Sequence, residues 1–550
     1  MMKLKNIFPV ICLLGMLFNT ACNKLDSYLD KAESGGMSED EVFKNFRQTK
    51  AYLANIYGTG LFIDWYGGNQ WGFSFDGATD DGYGAYKYWP CPKFFYDGSL
   101  SPSNNPMDKW ADLYFSIRKT NIFLEKIDAL PLEPNNAEQA QEKPWMKGEA
   151  FFLRAWFYAE LYKRYGAVPL IDKPLQITDN LNTPRTSADS VVDFITQYCD
   201  SAIALLPLKY SLKDLGRPTR GAARMLKART LLYAASPWQN TSNDKTRWQK
   251  AADAAKALID EKMYELDASY KGLFHTRNSP EIIFQSNVND QNHLHDYLMP
   301  SQAGFSILQP LQGIVDAYEM NNGMSINTPG SGYDPQDPYK NRDPRFAMSI
   351  IYNGRKWRGF TIETFVGGLD GLNKNGGSGE YTHTGYYLGK TLDETGSLTP
   401  EWRPGSHYYI FMRFAEALLI YAEAQNEASD NPDQSIYDAI NRIRDRQGVK
   451  MPPIPQGLSK TEMRECIRHE RRIELAFENQ RFWDIRRWGI TTTVLQEAWG
   501  MRITKDANEN FTYNKFIIES RTGLKKAWDR YPIPQSELNR NSALIQNTGY

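Results

Sequence analysis

The sequence predicts a mainly α-helical protein, in which a body of helical hairpins is interrupted by two long irregular excursions that contain a few short strands. Apolar residues recur at spacings of three and four over successive segments of about 15–20 residues, and Pro or Gly occupies the connections. This periodicity is helical. By contrast, 17 of the 40 glycines fall between Gly304 and Gly405, which indicates turns and loops in that part of the chain.

The N-terminus has the composition of an export signal. Lys3 and Lys5 precede a mostly apolar run over 7–18, which is too short to span a membrane as a helix. The run leads to Ala21-Cys22, and a small residue directly before a cysteine is similar to a bacterial lipobox, although Asn19 replaces the usual Leu. We therefore expect a signal peptide over 1–21 and a lipidated Cys22, with ordinary cleavage near Ala21 as the alternative.

A tether and a single domain are predicted after the signal. Residues 22–37 are polar and contain Ser34-Gly35-Gly36, and the domain should occupy 38–550. We expect its helical body at about 38–58, 105–263 and 408–550, and the two excursions at about 60–104 and 265–407. Ser38 and Glu41 fit a capping box that begins the first helix. Further helices are predicted at about 107–127, 145–165, 188–206, 221–235, 246–262, 411–427, 435–446 and 460–477, and short strands at 281–285 and 348–352. Helical pairs of this size resemble stacked tetratricopeptide repeats, although the repeat consensus is absent.

Charge and motif content exclude several functional classes. Lys plus Arg total 64 and Asp plus Glu 65, so the formal net charge of -1 excludes a global basic surface for nucleic acid. Cys91, Cys199 and Cys466 lack metal-ligand spacing and are predicted to be mostly buried apolar residues. The segment 385–391 lacks phosphate-loop spacing, and the chain contains no G-x-S-x-G or H-E-x-x-H motif. We predict no catalytic residue, cofactor or metal, and interpret His293 and His295 as part of a polar loop rather than a metal site.

Two sets of carboxylates leave alternatives open. Glu470, Glu474 and Glu478 recur at intervals of four among several arginines, which favours an ion-pair network between packed helices over a metal or catalytic site. A glycosidase needs only two suitably separated carboxylates, so a secreted enzyme that uses Asp76, Asp80 or Asp81 remains an alternative. A helical-repeat scaffold that binds other proteins is a second alternative function.

The segment 62–96 is the strongest candidate for a ligand-binding surface. It holds 13 aromatic residues among 35, or 37% against 13% for the whole chain. Trp and Tyr combine an apolar ring with a polar group and suit a half-wet surface that binds the C–H faces of sugars. The candidate residues of the two excursions are Trp65, Trp71, Asp80, Asp81, Tyr86, Tyr88, Trp89, Asn292, His295, Tyr297 and Trp357, of which Trp71, Tyr88 and Trp89 are the favoured stacking groups.

Several segments resemble the SusD/RagB family of outer-membrane lipoproteins, in the order in which that family has them. These segments are 78–81 (ATDD), 148–150, 165–170 (YGAVPL), 315–320, 342–346 (RDPRF), 413–424 (RFAEALLIYAEA), 440–444, 467–478 (IRHERRIELAFE), 481–489 (RFWDIRRWG), 531–534 (YPIP) and 546–550 (QNTGY). The family has Glu where this chain has Asp81. The resemblance therefore extends over nearly the whole mature chain.

The resemblance implies a helical body of about four tetratricopeptide-like units and a non-catalytic role in nutrient uptake. It implies a lipid-anchored protein in the outer membrane, facing the cell exterior, that partners a SusC-like TonB-dependent transporter. A glycan is the implied ligand, and a peptide is the alternative within the family. Its ligand-binding residues lie outside its shared motifs, so the candidate residues above come from their chemistry alone.

Overall fold

A computed structural model describes residues 38–61, 74–85, 91–290, 296–374, 381–394 and 407–550. The tether, Cys22 and the signal peptide lie outside these residues. The described helices are α1 (Glu39–Val42), α2 (Phe46–Gly60), α3 (Trp110–Lys126), α4 (Ala137–Tyr165), α5 (Ala188–Leu205), α6 (Arg220–Ala235), α7 (Lys245–Asp260), α8 (Gln312–Ala317), α9 (Pro344–Ser349), α10 (Phe414–Ala428), α11 (Gln434–Arg444), α12 (Lys460–Glu474), α13 (Arg481–Arg487), α14 (Thr491–Val494) and α15 (Gln535–Arg540).

Short strands form five two-stranded antiparallel sheets among the described residues. The strands are β1 (Gly82–Gly84), β2 (Ile282–Asp290), β3 (Leu308–Pro310), β4 (Ile350–Ile351), β5 (Lys356–Trp357), β6 (Phe360–Thr361), β7 (Tyr387–Leu388), β8 (His407–Arg413), β9 (Glu497–Lys505) and β10 (Phe511–Ser520). The pairs are β1–β3, β2–β8, β4–β7, β5–β6 and β9–β10. Four of the pairs belong wholly or partly to the predicted excursions.

The helices of the body form one continuous array. From α2 to α7, each helix packs against the next one in sequence, and α10 then packs against α7 after the chain returns from the second excursion. The pairs α2/α3, α4/α5, α6/α7 and α10/α11 make a tetratricopeptide-like body. The predicted fold class, a mainly α-helical protein with long loop excursions and few short strands, is confirmed.

Side-chain caps explain where many of these helices begin. The predicted capping box of Ser38 and Glu41 is present at α1, and Ser459 and Glu462 form a second one at α12. Such caps satisfy backbone N–H groups that the first turn leaves without partners. None of the described helices is long and apolar enough to cross a membrane.

Four sequence predictions are corrected by the structure. Residues 411–413 belong to strand β8 rather than to the following helix. Helix α4 begins at Ala137, upstream of Pro144, although a proline usually marks a boundary. Helix α12 ends at Glu474, because the chain then turns through the left-handed conformations of Phe477 and Asn479. The β9–β10 hairpin occupies a region that was predicted to be helical.

Two hydrophobic cores hold the molecule together. The larger core lies within the helical array and includes Cys199, which is fully buried as predicted, whereas Cys466 is half-buried. The second core joins the second excursion to the β9–β10 hairpin, through residues such as Tyr387 and Met501. Ile473, at the end of α12, also belongs to the second core, so this helix links the body to the excursion.

Candidate functional site

The two excursions meet in a small sheet. Strand β1, in the first excursion, pairs with β3 in the second, with Tyr83 opposite Gln309. The pairing continues at both ends, because the Leu311 N–H donates to the Asp81 carbonyl and the Ala85 N–H to the Ile307 carbonyl, at 2.9 and 3.0 Å. Residues distant in sequence are therefore presented on one surface, which we call the excursion junction (82–84, 308–310 and 381–385).

A buried glutamine holds the third segment of the excursion junction in place. The Gln309 Oε1 atom accepts the His383 N–H at 2.8 Å, and its Nε2 donates to the Tyr381 carbonyl at 3.3 Å. Gly385 lies so close to strand β9 that a Cβ atom there would be 2.3 Å from the Met501 carbonyl oxygen. These contacts fix the loop that carries His383.

Half-buried rings lie at the surface of the excursion junction. The Tyr83 and His383 rings have centroids 5.5 Å apart and are inclined by 51°. Tyr381 is also half-buried, and the Lys374 Nζ atom lies 5.6 Å from its ring centroid. Burial, and then the charge of Lys93, lower the pKa of His383. The imidazole is therefore neutral at pH 7 and presents an uncharged aromatic ring with hydrogen-bonding nitrogens.

Asp80 and Asp81 bind the excursion junction to the helical body. Arg481 forms two hydrogen bonds with Asp80, and the Arg472 Nε atom donates to Asp81 at 2.7 Å. Burial opposes ionisation of Asp80, but Arg481 and Arg472 outweigh it and hold its pKa below the usual value. Burial raises the pKa of Asp81, which has no exposed surface. Both carboxylates are thus structural ion-pair partners, which corrects the prediction that they hydrogen-bond a ligand.

Asp76 forms a further buried contact between the first excursion and the body. Its Oδ2 atom accepts the Asn479 N–H at 2.8 Å, while Asn479 accepts the Phe75 N–H through its side-chain oxygen at 2.9 Å. Complete burial raises the pKa of Asp76 to about 7. Among the residues that the structure describes, its Oδ1 atom has no hydrogen-bond partner.

The predicted ion-pair network is confirmed, although most of its arginines are not the neighbouring ones in sequence. Glu474 contacts Arg345, Arg413 and Arg446 at 2.7–3.1 Å, and all four side chains are at most 2% exposed. The other two carboxylates that recur at intervals of four form similar ion pairs. Glu470 contacts Arg345 and Arg444, and Glu478 contacts Arg413 and Lys390. The network joins α12 to α9 within the second excursion, to strand β8 and to the end of α11.

The remaining predicted ligand residues divide into two groups. Trp65, Trp71, Tyr86, Tyr88, Trp89, Asn292 and His295 lie outside the described residues, as does His293. Tyr297 and Trp357 are 5% and 1% exposed and belong to the second core, which corrects the prediction that they contact a ligand. Lys271 and Arg355 lie 4.4 and 5.0 Å from the Trp357 ring centroid, so this indole is covered by protein groups.

The sequence did not point to any of the three half-buried rings at the excursion junction, those of Tyr83, Tyr381 and His383. Tyr83 was counted within the aromatic segment but not selected, although its neighbours Gly82 and Gly84 indicated an accessible position. His383 carried no signal, because only the Gln309 contact brings it beside Tyr83. Within the described ranges, no group of three His, Cys, Asp or Glu side chains is arranged to hold a metal ion.

Comparisons with known proteins agree with this architecture. The model of the SusD family matches residues 280–550, and a second one, described as starch-binding associating with outer membrane, matches 29–232. The chain therefore belongs to the SusD/RagB family.

Individual relatives are distant but cover most of the chain. A SusD-like protein from Formosa agariphila is 24% identical over 80% of this chain and 79% of its own length. A SusD-like protein from Bacteroides fragilis has a crystal structure with a TM-score of 0.77 and 28% identity, covering 94% of this chain and 100% of that one. A SusD-like carbohydrate-binding protein from the same species also has a TM-score of 0.77, with 25% identity over 92% of this chain and 100% of that one.

Proposed function

We propose that this protein binds a glycan at the outer membrane, through the excursion junction, and delivers it to a SusC-like TonB-dependent transporter. The observation that carries the proposal is the convergence of the two excursions, which places Tyr83 beside His383 at a half-exposed surface. Aromatic rings with polar edges suit sugars, which have apolar C–H faces and hydroxyl rims. The carbohydrate-binding relative and the starch-binding family description support the same ligand class.

The predicted tryptophans and tyrosines of the first excursion belong to the same proposal. Tyr86, Tyr88 and Trp89 directly follow Ala85, the last described residue after β1. They are therefore only a few residues from Tyr83 along the chain. We propose that Tyr88, Trp89 and Trp71 add stacking surfaces to those of Tyr83 and His383.

The positions of the candidate carboxylates favour binding of the glycan without hydrolysis. A glycosidase requires two carboxyl groups that reach the sugar. The three aspartates that were candidates for this role are otherwise engaged, because Asp80 and Asp81 bind arginines and Asp76 is fully buried. Intact malto-oligosaccharide after prolonged incubation is the expected result, and release of shorter products would contradict it.

Calorimetry with a panel of oligosaccharides, beginning with maltoheptaose, tests the site. In Tyr83→Ala and His383→Ala, loss of a ring should weaken binding by roughly 1–3 kcal/mol, by analogy with aromatic stacking of bases. Phe360→Ala is a matched control, because Phe360 is an exposed aromatic residue outside the excursion junction. Unchanged affinity in both folded variants would exclude this surface, and binding of peptides but no glycan would favour the alternative ligand.

Two further experiments test the anchor and the partner. Mass spectrometry of the mature protein should find lipid on Cys22, and an unmodified start at another residue would contradict the anchor. Affinity purification from native membranes should recover a barrel protein, in a complex that buries well over the roughly 1,600 Å² of a standard interface. Repeated purification without any barrel would count against delivery to a transporter.

A further inference from the structure

A cavity in the helical body is lined by segments that belong to neither excursion. It has a volume of about 780 Å³, within the range of small-molecule sites. Its walls come from the segments at 167, 184–185, 237–241, 488–489 and 526–548. We call it the C-terminal cavity.

Two arginines in the C-terminal cavity are held by neutral acceptors. Arg185 donates to the carbonyls of Ala167, Ile545 and Tyr165 and to the Asn547 side chain, at 2.6–3.2 Å. The Arg530 Nη2 atom donates to the Trp238 carbonyl and to Gln239, both at 2.8 Å. These bonds fix both guanidinium groups without neutralising them.

No carboxylate in the described parts of the chain forms an ion pair with Arg185 or Arg530, whereas Arg345, Arg413 and Arg446 all have carboxylate partners. Burial lowers the pKa of Arg185. The charge of Arg530 lowers it further, because the two cations repel each other.

Among the described residues that line the C-terminal cavity, one has an acidic side chain, and it is already engaged. Asp529 contacts the Lys526 ammonium group at 2.6 Å and accepts a hydrogen bond from the Thr491 hydroxyl. A third guanidinium group, that of Arg486, is buried nearby, and its Nε and Nη2 atoms have no hydrogen-bond partner among the described residues. Arg185, Lys526 and Arg530 line the cavity together with this one carboxylate, so the described lining of the C-terminal cavity carries a net positive charge.

The donors that remain free are placed for an anion. Arg530 uses only Nη2 for its described bonds, and its guanidinium lies 4.6 Å from the Trp238 ring centroid. Its Nε and Nη1 hydrogens are not bonded to any described residue. The Cδ atom separates these two N–H groups, so each can donate a single hydrogen bond to a carboxylate or sulfate oxygen. Apolar side chains of Pro184, Ala527 and Ala543 complete the walls.

We propose that the C-terminal cavity is a second ligand site, which takes the carboxylate or sulfate group of an acidic sugar. Arg530 binds the anionic group, Arg185 adds the second positive charge, and the apolar walls contact the C–H face of the sugar ring. A volume of about 780 Å³ is large enough for a sugar residue, and carboxylates and sulfates are the anionic groups that acidic sugars carry. The site is independent of the excursion junction.

Calorimetry at low ionic strength, in a buffer without carboxylate, sulfate or phosphate, tests this site. The probes are D-glucuronate, D-glucose 6-sulfate, neutral D-glucose and N-acetyl-aspartate amide. We expect the two anionic sugars to bind at least tenfold more tightly than glucose, and the better of the two identifies the anionic group. Equal binding of N-acetyl-aspartate amide would show an anion site without sugar preference and would overturn the assignment, as would the absence of binding by either anionic sugar.

Variants locate the binding in the C-terminal cavity. Arg530→Gln should weaken binding of the anionic sugar at least tenfold, whereas Arg47→Gln removes the same charge from an exposed position and should have no effect.

Thr548→Glu places a competing carboxylate at the exposed rim without disturbing the core, and Thr548→Gln is its neutral control. Loss of binding in Thr548→Glu but not in Thr548→Gln is expected even if Arg530→Gln does not fold. Unchanged affinity in Thr548→Glu would overturn the proposal, and Tyr83→Ala should leave this binding intact.

Discussion

Asp80 and Arg481 are 401 positions apart in the chain and form a two-point ion pair, with N–O distances of 2.9 and 2.8 Å. Their side chains are only 12% and 9% exposed. The pair fastens the segment before β1 to helix α13, so the first excursion is held by a charge contact as well as by apolar packing. An ion pair of this kind determines where the segment lies on α13, because each charge is costly to bury without the other.

Breaking this pair should destabilise the protein more than breaking an exposed ion pair. Arg481→Gln removes two hydrogen bonds to Asp80 but leaves Arg472 as its partner, and we expect the free energy of unfolding to fall by about 1.5–3 kcal/mol. Urea denaturation measures the change. Arg540→Gln is the control, because its pair with Glu537 is exposed and should contribute about 0–1 kcal/mol. Equal, small effects of both substitutions would show that the buried pair does not fasten the excursion.

Asp76 should make stability depend on pH around neutrality. Its pKa is about 7 in the folded protein and near 3.8 when unfolded, so the folded state binds the proton more tightly. Stability is therefore lost as pH rises from about 4 through 7. Asp76→Asn removes this loss, and its stability relative to the wild type should increase by about 3 kcal/mol between pH 5 and pH 8, then stay constant at higher pH. Urea denaturation at pH 5, 6, 7 and 8 measures the difference, and a difference independent of pH would contradict it.

Glu474 should matter more than any neighbouring carboxylate on α12. Glu474→Gln removes the negative charge from three buried arginines, and we expect a loss of about 3–5 kcal/mol in the free energy of unfolding. Glu465→Gln, on the same helix but 66% exposed, should change stability by less than about 1 kcal/mol. Thermal and urea unfolding of the two variants compare them directly.

Local sequence signals predicted the helices well and the long-range contacts poorly. Helix α5 was expected at 188–206 and is found at Ala188–Leu205, because an amphipathic repeat follows the cap residue Ser187. Residues 411–413 were assigned to a helix, since an apolar run is compatible with either structure until its β2 partner is known.

The candidate site was also predictable only in its local features and not in its long-range contacts. The aromatic segment and the Gly-rich excursion were visible in the sequence, but the register of Tyr83 against Gln309 was not. That register places His383, and no local pattern encodes it. Trp357 was selected for its chemistry as a large aromatic residue in a loop, yet the same chemistry makes it a core residue when Lys271 and Arg355 cover its ring.

Trp357 should therefore affect stability and not ligand binding. Trp357→Phe leaves unfilled space in the second core and should cost about 1–3 kcal/mol of unfolding free energy, while the oligosaccharide affinity of the folded protein stays unchanged. Urea denaturation and calorimetry on the same preparation measure the two quantities. A large loss of affinity with unchanged stability would show that Trp357 contacts the ligand.

His383 should give glycan binding a defined dependence on pH. Burial and the charge of Lys93 lower its pKa below 6.5, so the imidazole is neutral at and above that pH. A neutral glycan that covers the ring disfavours the charged form further, since it removes water from the imidazole. We expect a constant affinity from about pH 6.5 to 8 and a progressive loss as the pH falls through the lowered pKa of His383. Calorimetry of the wild type and His383→Gln measures this dependence, and the variant should bind with little change over the same range. If wild type and variant lost affinity in parallel at low pH, His383 would not be the titrating group at the excursion junction.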